Sequence, residues 1–160
     1  MKWLLFFALI GGLGMTPVYA QSPNPLEPIA SLAGGTWIGE GRWPDGSPLR
    51  VEQKYFWGPT QRVLHFESYD LTGSERKLLY EGFLFLDPKL GKVVQWNFKP
   101  AGEATETVIT EFNSTGFEVK GDKTWSIVRY GGAKEFRWEL RVPEGQGWKT
   151  ILDATYKRQE

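Results

Sequence analysis

His65 and Glu67 stand two apart in the run Val63-Leu64-His65-Phe66-Glu67-Ser68-Tyr69. In an extended strand that spacing puts both side chains on one face. A carboxylate beside an imidazole is a pairing that orients an acid–base group or anchors a polar ligand. Two readings stay open. The pair faces a cavity and serves a cofactor-free enzyme, or it is a hydrogen-bonded histidine beside a solvated glutamate, with Leu64 and Phe66 as the packed face. His65 is the only histidine, and the chain has no cysteine. The usual zinc ligand sets are therefore excluded, and no carboxylate-only calcium loop is present. A nucleophilic triad would have to recruit His65, and no Gly-x-Ser-x-Gly turn accompanies it. Gly39-Glu40-Gly41 is no phosphate loop, because strand and not helix follows it. The sequence calls for no metal and no cofactor.

A second set of residues points to binding. Gln53 lies between Val51 and Tyr55, Gln95 between Val93 and Asn97, and Arg129 follows Trp125 and Ile127 on one face. Polar side chains on apolar strand faces must find partners or lose hydration. In a partly wet cavity they would orient a polar head while aromatic rings hold an apolar body. The expected lining is Trp37, Tyr55, His65, Tyr80, Gln95, Trp125 and Trp138, around a small apolar or amphipathic molecule. A third reading is a filled barrel acting through its surface, with an exposed apolar patch near Phe56 and the Trp57-Gly58-Pro59 turn.

These residues need strands to position them. From Gly35 onward the hydrophobic period is two, in about ten short runs separated by Gly, Pro, Asn and Asp turns. The runs are Gly35 to Trp43, Leu49 to Trp57, Gln61 to Asp70, Arg76 to Asp87 and Lys92 to Lys99, then Glu103 to Phe112, Phe117 to Lys120, Lys123 to Tyr130, Lys134 to Val142 and Gly147 to Lys157. Connections this short make neighbours antiparallel. The expected fold is all-β, an antiparallel up-and-down barrel with a short helix at Leu26 to Leu32 laid across one end; a two-sheet sandwich is the alternative. Arg76 to Asp87 is apolar on both faces, which predicts cover on both sides. Gly39 and Gly41 share a face with Trp37 and Trp43, as suits a strongly coiled opening strand.

The first 20 residues read as a signal peptide. Lys2 precedes an apolar run from Trp3 to Leu13, and Val18-Tyr19-Ala20 has the small-x-small cleavage pattern. That run is shorter than the roughly 20 residues a membrane span needs. Residues 21–34 form the lead-in and 35–158 a single barrel domain, placed in the periplasm or secreted. The 19 acidic and 19 basic residues are interspersed, and Lys2 leaves with the leader. No basic stripe for nucleic acid appears. A monomer or homodimer is expected.

Leu32-Ala33-Gly34-Gly35-Thr36-Trp37-Ile38-Gly39-Glu40-Gly41 resembles the opening of calycin-like barrels, most of all nitrobindin-type and related bacterial lipocalin-like domains. Tyr80-Glu81-Gly82 to Asp87, followed by Gly91 to Trp96, is similar to their glycine strand, aspartate turn and aromatic strand. Trp148 to Arg158 is similar to their closing strand. The resemblance implies a roughly ten-stranded barrel with a helix over one end. In nitrobindin-type domains a histidine on the last strand binds haem iron. Here that strand reads Thr150-Ile151-Leu152-Asp153-Ala154-Thr155, so the resemblance stops short of haem chemistry.

Overall fold

The computed structural model describes residues 23–159. The expected signal peptide and its cleavage site lie outside the described residues. The first element is a 3₁₀ helix, Glu27–Leu32. It is launched by Asn24, whose Oδ1 accepts the Leu26 N–H at 3.0 Å and whose carbonyl accepts the Glu27 N–H. Pro28 fits the first turn because the amide it lacks needs no partner there. Six residues are too few to hold a helix alone. Its stability comes from burying Ile29 and Leu32 completely under the barrel.

Eleven strands follow, all in one antiparallel sheet: β1 (Gly35–Arg42), β2 (Pro48–Trp57), β3 (Val63–Asp70), β4 (Lys77–Asp87), β5 (Lys92–Phe98), β6 (Ala104–Val108), β7 (Glu111–Asn113), β8 (Gly116–Lys120), β9 (Trp125–Tyr130), β10 (Glu135–Glu144) and β11 (Gly147–Gln159). Their spatial order is β6-β5-β4-β3-β2-β1-β11-β10-β9-β8-β7. Every ladder joins strands consecutive in sequence except that of β1 with β11, where Trp37 lies opposite Arg158, and the consecutive strands β6 and β7 are the two edges of the sheet. The sheet curls on itself as a half-barrel.

The run expected as one strand from Glu103 to Phe112 is two, and the reason is a change of partner. β6 pairs with β5 and β7 with β8. Between them the Ile109 N–H donates to Val93 O on β5, and the next amide, Thr110, donates to Glu118 O on β8. The two sheet edges are thus stitched by one peptide link without pairing along their length. A seam runs beside it.

Inward-facing residues form one core whose large buried side chains include Trp37, Phe66, Phe136 and Tyr156. The glycine pair of β1 has a specific use. A Cβ on Gly39 would lie 2.4 Å from the Tyr156 ring, and one on Gly41 would meet Ala154 and the Asp153 carbonyl. The missing side chains let β11 lay Tyr156 across β1, stacked on Phe136 at 4.4 Å. Trp37 packs on Phe136 in turn, at 5.1 Å. Its Nε1–H donates to Leu32 O at 3.0 Å and ties the helix down. Arg158 adds bonds to Ser31 O and Ala33 O.

The expectation of cover on both faces of β4 needs correction. Its outer residues Phe83 and Phe85 are half-buried with no second layer over them. They are sheltered sideways by one another and, for Phe83, by His65 of β3 and Phe98 of β5. Among the described residues no helix is long and apolar enough to cross a membrane.

Candidate functional site

Strand alternation delivers the inward residues of β2 to β6 and β8 to β11 to a common interior, which encloses a cavity of about 220 Å³. Its buried side is apolar: Ile29 and Leu32 from the helix, with Tyr55, Phe66, Phe136 and Tyr156 from the wall. Its half-exposed side is polar, formed by Gln53, Gln95, Asn97, Thr107, Ser126 and Trp138. Two internal bonds fix that side. Gln95 Nε2 donates to Asn97 Oδ1 at 2.8 Å, and Trp138 Nε1–H donates to Ser126 Oγ at 2.7 Å. Thr107 of β6 and Val119 of β8 reach the cavity from the two sides of the seam.

Among the described residues, no aspartate, glutamate, lysine, arginine or histidine lines this space. The titratable groups present are phenols. Burial holds the Tyr55 hydroxyl well above its ordinary value, and the nearby phenols of Tyr80, Tyr130 and Tyr156 push the same way. Tyr80, Tyr130 and Tyr156 are also raised, in each case chiefly by burial. The interior therefore favours neutral species. It also holds unused hydrogen-bonding capacity. Ser68 Oγ is fully buried beside the Tyr80 hydroxyl, and Ser68 sits between Gln53 and Tyr80, both of which line the cavity. The Tyr130 hydroxyl is buried and unpartnered among the described residues. A buried hydroxyl left in this state is disfavoured unless something completes it.

Of the residues expected to line a cavity, Tyr55, Tyr80, Gln95 and Trp138 do so. Trp37, His65 and Trp125 are elsewhere. Trp37 is buried between the helix and Phe136 and acts as a tie. His65 is on the outer wall, because its neighbours Leu64, Phe66 and Ser68 take the inward face of β3. It stacks on Phe56 at 5.3 Å and leans on Phe83 at 6.1 Å. Glu67 is outside too, accepting the Tyr69 hydroxyl at 2.8 Å. The proposed acid–base pair thus faces away from the cavity. Trp125 is outward because Ser126 and Val128 face in; its Nε1–H donates to the buried carboxylate of Glu118 at 2.9 Å. Arg129 is on that same outer wall, ion-paired to Glu118.

Asn97, Thr107 and Ser126 also line the cavity, beyond the residues expected there. Asn97 was within reach, since it lies two residues beyond Gln95 and must share its face. Ser126 was hidden, because β9 offers two nearly equivalent faces, one with Trp125 and Ile127 and the other with Val128 and Tyr130.

The described residues contain no cluster of histidine and carboxylates able to hold a metal ion. No protein-family model matches the chain, and no curated protein matches it. Among solved structures, it is similar to a de novo designed fluorescence-activating β-barrel at 12% identity and a TM-score of 0.43, covering 81% of this chain and 96% of the design. A redesigned β-barrel is similar to the same degree, with 93% of that chain covered. These likenesses concern the barrel shape alone.

Proposed function

We propose that the protein is an exported barrel that holds a small, neutral, amphipathic molecule in its interior. The observation that carries this reading is a cavity with one apolar side, one polar side and no charged residue. An ionised head would enter without a counter-charge, at a severe desolvation penalty. An uncharged head meets Gln53, Gln95, Asn97 and Ser126 as donors and acceptors. Size narrows the class further. A cavity of about 150 Å³ accepts benzene, so about 220 Å³ has room for roughly nine non-hydrogen atoms, on the scale of one fused ring pair. A long acyl chain does not fit inside. The leader-like first 20 residues support export.

Indole, neutral and of that size, is the probe. It should raise the melting temperature in a dose-dependent way, and octanoate at the same concentration should not. Val119→Trp, at a half-buried lining position, should abolish the shift while leaving the far-ultraviolet circular dichroism unchanged. Equal stabilisation by octanoate, or none by indole and similar neutral rings, would refute the reading.

A further inference from the structure

The outer wall of β2 to β5 carries a second recognition surface. In register across these four strands lie Phe56, His65, Phe83 and Trp96. Their rings are in contact or bridged by Phe98: Phe56 on His65, His65 on Phe83, Phe83 on Phe98 at 5.6 Å and Trp96 on Phe98 at 6.0 Å. Phe56 is 44% exposed. In the adjoining row Glu67 and Glu81 are direct cross-strand partners. A groove of about 380 Å³ runs between the two rows, with Phe56, His65 and Phe83 on one side and the carboxylates on the other.

Like charges directly opposite in a ladder destabilise it, and the relief this pair receives among the described residues is a neutral one, the Tyr69 hydroxyl donating to Glu67. Lys54 faces Glu67 in register, yet its Nζ is drawn 3.5 Å from Glu52, which also holds Arg76 at 2.7 Å. Neither Glu67 nor Glu81 has an ion-pair partner among the described residues.

Elsewhere on the outer surface of the sheet the combination of ring and carboxylate is completed by a cation. The Arg76 guanidinium lies 3.1 Å above the Tyr69 ring while bound to Glu52. Arg141 lies 4.8 Å above Trp125 while bound to Glu139. The groove has the same ingredients and lacks the arginine.

We infer that this groove docks a segment of another protein that presents arginine between apolar side chains. A planar guanidinium suits it better than an ammonium, since it stacks on rings and meets carboxylates through a fork of donors. A free small cation would leave most of the surface uncovered, because the row from Phe56 to Trp96 spans three strand spacings, about 14 Å. That length matches four or five residues of extended chain.

The probe is acetyl-Phe-Arg-Phe-Arg-amide, with the citrulline analogue as its neutral control. Amide signals of His65 and Gly82 should shift on titration with the arginine peptide, and binding should weaken as salt is raised. Citrulline should weaken binding at least tenfold, as should the Glu67→Gln/Glu81→Gln double variant. That variant should melt no lower than the parent, because it removes a repulsion; a clear drop would mean the carboxylates serve the fold and would overturn the inference. No shift at millimolar peptide, or equal affinity for the citrulline control, would do the same. Phe83→Ala supplies a second loss-of-binding variant on the aromatic side. Indole binding in the interior should be unchanged in the double variant, so the two sites succeed or fail separately.

Discussion

Raising the pH above about 10 is expected to unfold the protein in one steep transition, with phenolate absorbance and far-ultraviolet circular dichroism changing together. The cause is the group of four interior phenols, Tyr55, Tyr80, Tyr130 and Tyr156, all held above their ordinary value mainly by burial. The folded state holds these protons more tightly than the unfolded chain does. The stability they contribute is complete below about pH 10 and is lost as the pH climbs toward the folded values. Each such phenol removes about 1.4 kcal/mol per pH unit in that window, so four remove roughly 5. A domain stable by about 5–15 kcal/mol is exhausted within about one to three units. Gradual phenolate formation near pH 10 with the fold intact would mean that water reaches these hydroxyls freely. Tyr130→Phe isolates one member. It should reduce the slope by about a quarter and leave neutral-pH stability equal or higher, because the hydroxyl it removes has no partner.

Trp37→Ala is expected to be the most damaging single truncation, lowering stability by about 3–5 kcal/mol. The side chain is 1% exposed. Its loss opens a space beside Phe136 and strands the Leu32 carbonyl that its Nε1–H satisfies. Trp37→Phe separates the two effects. It keeps most of the ring and forfeits the bond, so about 1–3 kcal/mol should be lost. Urea denaturation measures both. Hydrogen exchange at the Ile29 and Gly34 amides should quicken in both variants more than exchange in β3, if Trp37 is what holds the helix on the barrel. Unchanged protection at those two amides would rule out the tie.

Most of the architecture was legible in the sequence because it rests on period-two patterning and on turn residues, both local. The short helix was visible in Leu26, Ile29 and Leu32, and the opening strand in its glycines. What those glycines accommodate was not visible: Tyr156 lies more than 100 positions away in the chain, and only the β1–β11 register brings it to Gly39. The split of β6 from β7 was hidden for a similar reason, since Ile109 and Thr110 look like ordinary strand residues and differ only in which strand accepts their amides. The site was read in part. Tyr55 and Trp138 lie on strands that alternate cleanly between apolar and charged residues, so their inward face was readable. His65 and Trp125 sit on strands with bulky residues on both faces, where alternation alone does not say which face is inside. The aromatic outer wall is what created that ambiguity.

The pairing of β1 with β11 also governs how the chain reaches this state. Every other ladder joins consecutive strands and can form as a hairpin with a short loop to close. Bringing the first strand to the last restricts nearly the whole chain at once, and that entropy is lost before any contact rewards it. Two runs of hairpins, β1 to β6 and β7 to β11, would then organise first and dock last. Tyr156→Leu, which thins the contact of β11 with Gly39 of β1, should accelerate unfolding and leave the refolding rate nearly unchanged. The strand pair that completes the container would thus be the late event in its assembly.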